Sequence, residues 1–351
     1  MKLRLMICLF LLLITPSFAQ QDDAPSVAYI HVFNSTTSPF MLAMPTDTRT
    51  IAPYQTTTFA LPADTPLFLN EQASALEDIY NVGSRYVFVY LGRNAYTVWN
   101  LTDMAIVHQE ADVTDADTSV WWIGNYFTDT SATLTVSVDG EPVLNLGYGD
   151  LGNFSAPIAY FEIAFSVGDT VLFSSSQAFG EPYYTSVVLF AGDYSGRMGR
   201  DYVPMVLDII ETDFMTWMSA LTQADIAPYL YTVAQMLIEN ADAQAEFLAD
   251  DRVILLPYDD AFNALAFDTR MYFYNDPSRL SRLLMNHLLV KSEMPSDPTA
   301  PLTTLAGEIL AVQQARLGLR IEEAGYITRL LLPNLSEVWL IDGVLLPSIQ
   351  E

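Results

Sequence analysis

Hydrophobic and polar positions alternate with a period of two along much of the chain between Pro25 and Arg200. In Leu134-Thr135-Val136-Ser137-Val138 every second side chain is apolar, and Asp139-Gly140 follows, a pair suited to the tight turn of a β-hairpin. Thr, Tyr, Phe and Val are frequent here and Gly and Pro punctuate the runs, which predicts antiparallel β structure. Compared with itself, the segment recurs loosely: Val27 to Met44, Ala52 to Leu69 and Tyr86 to Gly92 return as Val120 to Val138, Tyr148 to Phe165 and Tyr184 to Gly192. Phe59 and Pro62 are matched by Phe154 and Pro157. The recurrence predicts two related β-domains, residues 25–110, the more degraded copy, and residues 118–200, each a small sandwich whose period is too long for a solenoid.

The period then changes. Ile209, Ile210, Phe214, Trp217, Met218 and Leu221 follow helical spacing, so residues 201–211 are expected to be a linker or the start of a helix, with the apolar stripe packed against the sheet that follows. In Val253 to Phe262, VILLPYDDAF, a short apolar run reads as a buried strand that Pro257 ends, with Asp259 placed to cap a helix. Near the end, Asp342-Gly343 breaks an apolar run from Val338 to Leu346, which predicts two short strands around a turn or bulge, ended by Pro347.

Four pieces in order carry a family resemblance: VILLPYDDAF, LLMNHLLV (Leu283 to Val290), TLAG (Thr304 to Gly307) and EVWLIDGVLLP (Glu337 to Pro347). In sequence and spacing they resemble the fasciclin-like adhesion domain. The chain departs from that pattern at Asn286, where the family has Tyr before His287, at Leu335-Ser336 in place of Asn-Gly, and at Trp339, where His is common. The resemblance implies an α/β domain over residues 212–351 that binds proteins or polysaccharides, with Tyr258, Asn286 and His287 as the candidate partner-binding residues. The second β segment, with VDGEPV, LGYGDLGNFSAP and YTSVVLFAG, more weakly resembles exported bacterial β-domains of unassigned function.

Lys2 and Arg4 precede an apolar run from Leu5 to Ile14, and Ser17-Phe18-Ala19 puts small residues where a signal peptidase reads, so residues 1–19 are expected to be a removable export signal. That run is too short for a stable membrane anchor, which takes about 20 apolar residues. Cys8, the one cysteine, lies inside the signal, leaving the exported chain without disulfide or thiol chemistry. Fifteen basic residues face 42 acidic ones for a net charge of −27, which disfavours nucleic acid and anionic lipid and suits basic partners, divalent cations or plain solubility.

Candidate chemistry is sparse. His31, His108 and His287 are far apart and none forms a helical metal-binding pair. Gly192-Asp193-Tyr194-Ser195-Gly196 has its serine one place late for a nucleophile elbow. The pairs Asp22-Asp23, Asp250-Asp251 and Asp259-Asp260 are what a chain this acidic produces by chance. Asp112, Asp115 and Asp117 cluster in a loop-like stretch whose oxygens could hold calcium, yet they lack the glycine turn and terminal glutamate of a dedicated loop, so a solvated acidic loop is expected. Of Trp121 and Trp122, adjacent on a strand, at most one can face outward to stack on a sugar. Asn34, Asn100, Asn153 and Asn334 head sequons that matter only in a glycosylating host.

The expectation is therefore a multidomain, exported, acidic chain: an all-β, sandwich-like N-terminal half of two related β-domains, then an α/β fasciclin-like domain. Its expected role is non-catalytic adhesion to surface proteins or polysaccharides, without a cofactor and without a membrane span. A soluble small-ligand module, with an apolar cleft between the helical segment and the last sheet, is the alternative, and a glycan hydrolase the third reading.

Overall fold

The computed structural model of the chain describes residues 27–44, 48–62, 65–70, 81, 84–93, 95–101, 118–194, 201–223, 231–238, 240–295, 297, 299–315 and 318–348. The expected export signal with Cys8, His108 and the Asp112 to Asp117 cluster lie outside these residues.

The first series of strands is β1 (Val27–Asn34), β2 (Phe40–Ala43), β3 (Thr48–Ile51), β4 (Thr56–Pro62), β5 (Phe68–Leu69), β6 (Arg85–Gly92) and β7 (Ala95–Asn100). They form one sheet in the order β4-β1-β6-β7 and another in the order β3-β2-β5. A second series follows: β8 (Thr118–Phe127), β9 (Leu134–Val138), β10 (Glu141–Leu146), β11 (Leu151–Pro157), β12 (Tyr160–Val167), β13 (Thr170–Phe179), β14 (Tyr184–Asp193) and β15 (Asp201–Ile210). Their orders are β11-β8-β14-β15 and β10-β9-β12-β13.

The two series agree down to single hydrogen bonds. β1 runs antiparallel to β4 and parallel to β6, as β8 does to β11 and β14, and Ile30 faces Phe59 where Trp121 faces Phe154. Buried Asn34 donates from Nδ2 to the carbonyls of Ile51 and Ala52 and accepts at Oδ1 from the Thr36 amide. Buried Asn125 donates to the carbonyls of Ala132 and Leu146 and accepts from the Phe127 amide. Tyr54 and Gly149, which donate their amides to the carbonyls of Asn34 and Asn125, both sit in the left-handed region at φ 55° and 82°. Each asparagine thus stitches the end of its strand to the loop between the two sheets. The Asn34 sequon is consequently a structural residue, 0% exposed, and closed to modification in the folded chain.

The predicted hairpin at Asp139-Gly140 is present, with φ of 50° and 82° at the two turn residues between β9 and β10. The series do not stand apart, however. Phe33, Val87 and Val89 pack in one cluster with Val120, Trp122, Val187, Leu189, Met205 and Leu207, so the sheets holding β1 and β8 face each other. On their outer sides, Ile30 and Phe88 meet Phe40 and Leu42, and Ile123 and Phe190 meet Val136 and Phe165. The result is four stacked layers. Trp99 donates from Nε1 to the Tyr126 hydroxyl across the shared interface at 2.9 Å, and Arg85 pairs with Glu211. Double coverage explains why Tyr86 to Tyr90 and Tyr184 to Gly192 are buried throughout, Thr185 and Ser186 included.

Residues 201–211, expected as a linker or helix start, are instead largely strand β15. Met205, Leu207 and Ile209 enter the shared core while Val206 is 48% exposed, and this period of two outweighs the helical spacing of Ile209, Ile210 and Phe214. The helix starts at Phe214–Gln223, where Asp213 Oδ1 accepts from the amides of Met215 and Thr216 at 3.0 Å.

Beyond it come helices Tyr231–Ile238 and Ala241–Leu248, β16 (Arg252–Pro257), and helices Asp259–Ala264, Phe267–Tyr274 and Pro277–Met285. After β17 (Leu288–Val290) the remaining strands are β18 (Leu302–Thr303), β19 (Ile309–Leu310), β20 (Val312–Ala315), β21 (Gly318–Ile321), β22 (Ala324–Leu331) and β23 (Glu337–Ile341). β22 joins β15 in parallel through Asp208 with Leu330 and Ile209 with Leu331, so one sheet continues as β15-β22-β23-β16-β17. Tyr184 and Ile210 from the β half share a core with Trp217, Phe247, Ile254 and Leu284.

Two local expectations change. The strand ends at Ile341 and no second strand follows Asp342-Gly343, because Asp342 Oδ1 is engaged by the Gly325 amide. Asp259 does not cap its own helix, whose N-cap Tyr258 makes no side-chain capping bond; its Oδ1 accepts instead from the Thr232 amide at 2.8 Å, at the start of the helix Tyr231–Ile238.

Candidate functional site

His287 is 4% exposed and both ring nitrogens are spent inside the protein. The Leu345 amide can only donate, so Nε2 accepts from it at 3.0 Å, and Nδ1 must carry the proton that goes to the Leu283 carbonyl at 2.8 Å. Burial pushes its pKa down to about 4, although the hydrogen bond to Leu283 pulls the other way, so the ring is neutral. Its neighbour Asn286, 0% exposed, donates to the Leu345 carbonyl at 2.9 Å and accepts from Thr304 Oγ1 at 3.0 Å. Asn286 and His287 thus hold both backbone groups of Leu345 and tie Thr304 to them. That contact physically joins LLMNHLLV, TLAG and EVWLIDGVLLP, three of the four pieces that the sequence presents separately.

Neither side chain faces solvent. Of the three expected partner-binding residues only Tyr258 is even partly exposed; burial, then nearby Glu181 and Tyr160, push its hydroxyl up to about 12. Tyr258 packs against the core shared with the helices. Around the same end of the molecule stand side chains to which the sequence drew no attention. Phe267 is 66% exposed and Tyr274, seven residues on and so on the same side of its helix, 39%; Tyr160 on β12 is 61% exposed. Arg279 lies over the Tyr272 ring at 4.0 Å. Two signals were available for these: the seven-residue spacing of Phe267 and Tyr274, and the clustering of Arg270, Arg279 and Arg282 in a chain with only 15 basic residues.

Polar groups elsewhere are structural. Glu337 is buried, which alone would raise its pKa, but Arg329 and Lys291 and a bond from Trp339 Nε1 at 2.8 Å hold it below the usual range. Lys291 reaches it at 2.9 Å, locking β17 to β23. Asp251 accepts from the amide and hydroxyl of Ser292. With Asp259 at Thr232, one member of each described acidic pair is used in holding a chain segment. Trp122 is 1% exposed, and Trp121 stacks on Phe154 and meets Phe161 and Tyr184 edge-on, so both tryptophans serve packing. Among the described residues no group of three or more His, Cys, Asp or Glu is arranged to hold a metal ion, and no helix is long and apolar enough to cross a membrane.

Two recesses of similar size remain. One of about 260 Å³ is lined by Phe214, Phe247, Leu248, Leu332 and Pro333 with Asp213 at its edge, between the helical segment and the last sheet. The other, about 250 Å³, is lined by Tyr272, Ser278, Arg279, Arg282 and Ser348.

Residues 214–347 match the family model of the Fasciclin domain. No curated protein matches the chain. Among solved structures, similarity is found to the N-terminal domain of AlgF from P. aeruginosa, 17% identical over 21% of this chain and 93% of that one, with a TM-score of 0.19. The TIE protein of Bacillus anthracis is 9% identical over 46% of this chain and 35% of that one, at a TM-score of 0.15. Neither superposition is extensive enough to bear on function. The C-terminal part of the chain is thus similar to a domain of the adhesion type found in extracellular and surface proteins, set beside a mostly β N-terminal part with several stacked sheets.

Proposed function

We propose that this is an exported, non-catalytic adhesion or matrix protein that binds proteins or polysaccharides at the cell surface through residues 212–351. The observation that carries the reading is the Fasciclin match over residues that also expose large aromatic rings, Phe267 and Tyr274, on one side of a single helix. Isolated apolar side chains on a surface need no explanation, but two exposed aromatic rings on one side of a helix offer the rigid, low-entropy contact area on which recognition relies. In this reading Tyr258 belongs to the contact surface, while Asn286 and His287 act from beneath by fixing the segment around Leu345. The two β-domains, packed back to back and continuous with the last sheet, serve as a stiff stalk.

The test is retention of the mature protein on the producing cells' envelopes and matrix polysaccharide. Replacing Phe267 and Tyr274 together by Ala should weaken saturable retention at least tenfold while the variant stays folded, since neither ring belongs to a buried core cluster, Phe267 being 66% and Tyr274 39% exposed. Unaltered retention of that double variant would remove the helix from the contact surface.

The small-ligand reading is favoured by one observation, the 260 Å³ recess where such a cleft was expected. Its floor is Phe214 and Phe247, each 2% exposed and packed into the closed core, which limits it to a shallow groove. A ligand-dependent rise in melting temperature would be its mark.

A further inference from the structure

The recess of about 250 Å³ at the base of the helices Phe267–Tyr274 and Pro277–Met285 presents a specific pattern of donors and acceptors. Ser278 spends its only hydroxyl proton on Asp276 Oδ1 at 2.6 Å, and Ser348 spends its own on Glu308 Oε2 at 2.6 Å. What each hydroxyl has left is acceptor capacity. Arg279 is the reverse case. Its printed contacts, Nε to Asp276 at 3.5 Å and a terminal nitrogen to the Tyr272 carbonyl at 3.5 Å, are at the outer limit of a hydrogen bond, while its side chain is 45% exposed and its plane is held over the Tyr272 ring. A guanidinium has five donors in a fixed fork, so most of its capacity faces the recess unspent.

The carboxylates at the rim are already satisfied. Glu308 accepts from Arg282 at 2.7 Å and from the amide and hydroxyl of Ser348, which hold its pKa low; Asp276 Oδ1 accepts from the amides of Ser278 and Arg279 as well as the Ser278 hydroxyl. The recess therefore asks for a group that accepts at one end and donates at the other.

We propose that this recess binds a sugar acid, its carboxylate forked on Arg279 and its ring hydroxyls donating to Ser278 and Ser348. The recess is of the size of a single sugar ring, so the unit recognised is one sugar acid, free or at the end of a glycan. This rests on the adhesion reading only for its biological use; the pocket chemistry stands without it. The net charge of −27 on the chain opposes a long polyanion, which favours one carboxylate inserted at the arginines of the recess over a charged polymer lying across the molecule.

Glucuronate is the probe, added to the mature protein and followed by isothermal titration and by amide shifts in NMR, with glucose and acetate as comparisons. Saturable millimolar binding of glucuronate, at least tenfold tighter than either comparison, is the expected result. Arg279→Gln should weaken it tenfold or more, and Arg279→Lys, which keeps the charge and loses the fork, should recover only part. Equal weak binding of all three probes, or an unchanged affinity in folded Arg279→Gln protein, overturns the proposal. Titration of a glucuronate-terminated oligosaccharide separates the sources: tighter binding than the free sugar assigns the pocket to a glycan end, equal binding to the free sugar. If glucuronate binds while envelopes do not retain the protein, the adhesion reading fails and the pocket stands; the opposite pair of results does the reverse.

Discussion

Acid should act on this protein through His287. The ring is buried and neutral, with a folded pKa of about 4 against an ordinary value of 6.5. Below pH 6.5 the unfolded chain takes up a proton there and the folded chain does not, so stability falls with pH until about pH 4, where the folded ring also titrates. A separation of roughly 2.5 units at 1.36 kcal/mol each puts the full loss at about 3 kcal/mol, and at pH 5 about 2 kcal/mol is gone. Other groups titrate over this range too: His31, whose pKa burial lowers to about 3 with Arg85 adding to the effect, moves stability the same way, and protonating the many carboxylates relieves repulsion in the opposite sense. A difference measurement cancels them. In urea unfolding at pH 7.5, His287→Gln should cost about 2 kcal/mol, because one of the two bonds to Leu283 and Leu345 is lost in the interior. At pH 5 wild type has paid its proton penalty and the variant has none, so the gap should close to near zero. A cost for His287→Gln that is equal at pH 7.5 and pH 5 would refute both the neutral tautomer and the clamp built on it.

Four further outcomes follow from the fold. Asn125→Ala strands two buried carbonyls and one amide and should lower unfolding free energy by about 3 kcal/mol in urea titration; Asn34→Ala strands one buried carbonyl, since the Ala52 carbonyl is exposed and also accepts from the Gln55 amide, and should cost about 2 kcal/mol; losses under 1 kcal/mol would show the stitches to be dispensable. Gly343→Ala places a Cβ 2.9 Å from Ala324 Cβ and 3.1 Å from its Cα and should cost about 2 kcal/mol by overpacking. Gly140→Asn, at φ 82° with open space around it, should be nearly neutral, because Asn tolerates the left-handed region. Residues 212–351 produced alone lack Tyr184 and Ile210 and leave β22 without its partner β15, so that fragment should bind a hydrophobic dye that the full chain does not, and a dye-silent, fully stable fragment would show the shared core to be unimportant.

Periodicity in the sequence carried the β character of the first half, the hairpin at Asp139-Gly140 and the internal recurrence, since each is a local pattern that a strand or turn imposes on its own residues. What it could not carry was how the two series meet. A strand buried on both faces and a strand of a small sandwich both look apolar, and YTSVVLFAG has no feature that distinguishes its second covering layer from its first. The same ambiguity misplaced β15: Ile209, Ile210 and Phe214 satisfy a helical spacing, and only the neighbouring sheet selects the period of two in Met205, Leu207 and Ile209.

The candidate site shows a sharper division. Asn286 and His287 stood out through the family resemblance, yet their place in an apolar run is why they are interior: a polar pair amid Leu283, Leu284, Leu288 and Leu289 must find partners inside, and it finds Leu345 and Thr304. Residues that meet a ligand obey no such internal requirement. Phe267, Tyr274 and Arg279 complete no core, so the seven-residue spacing of the first two and the arginine cluster around the third gain meaning only when the helices bring these side chains to the surface. Legibility in the sequence therefore tracks what the fold needs for itself. In a protein of this type the search for contact residues should begin among the exposed side chains that the folding pattern leaves unexplained, with the motif residues read as the frame that holds them.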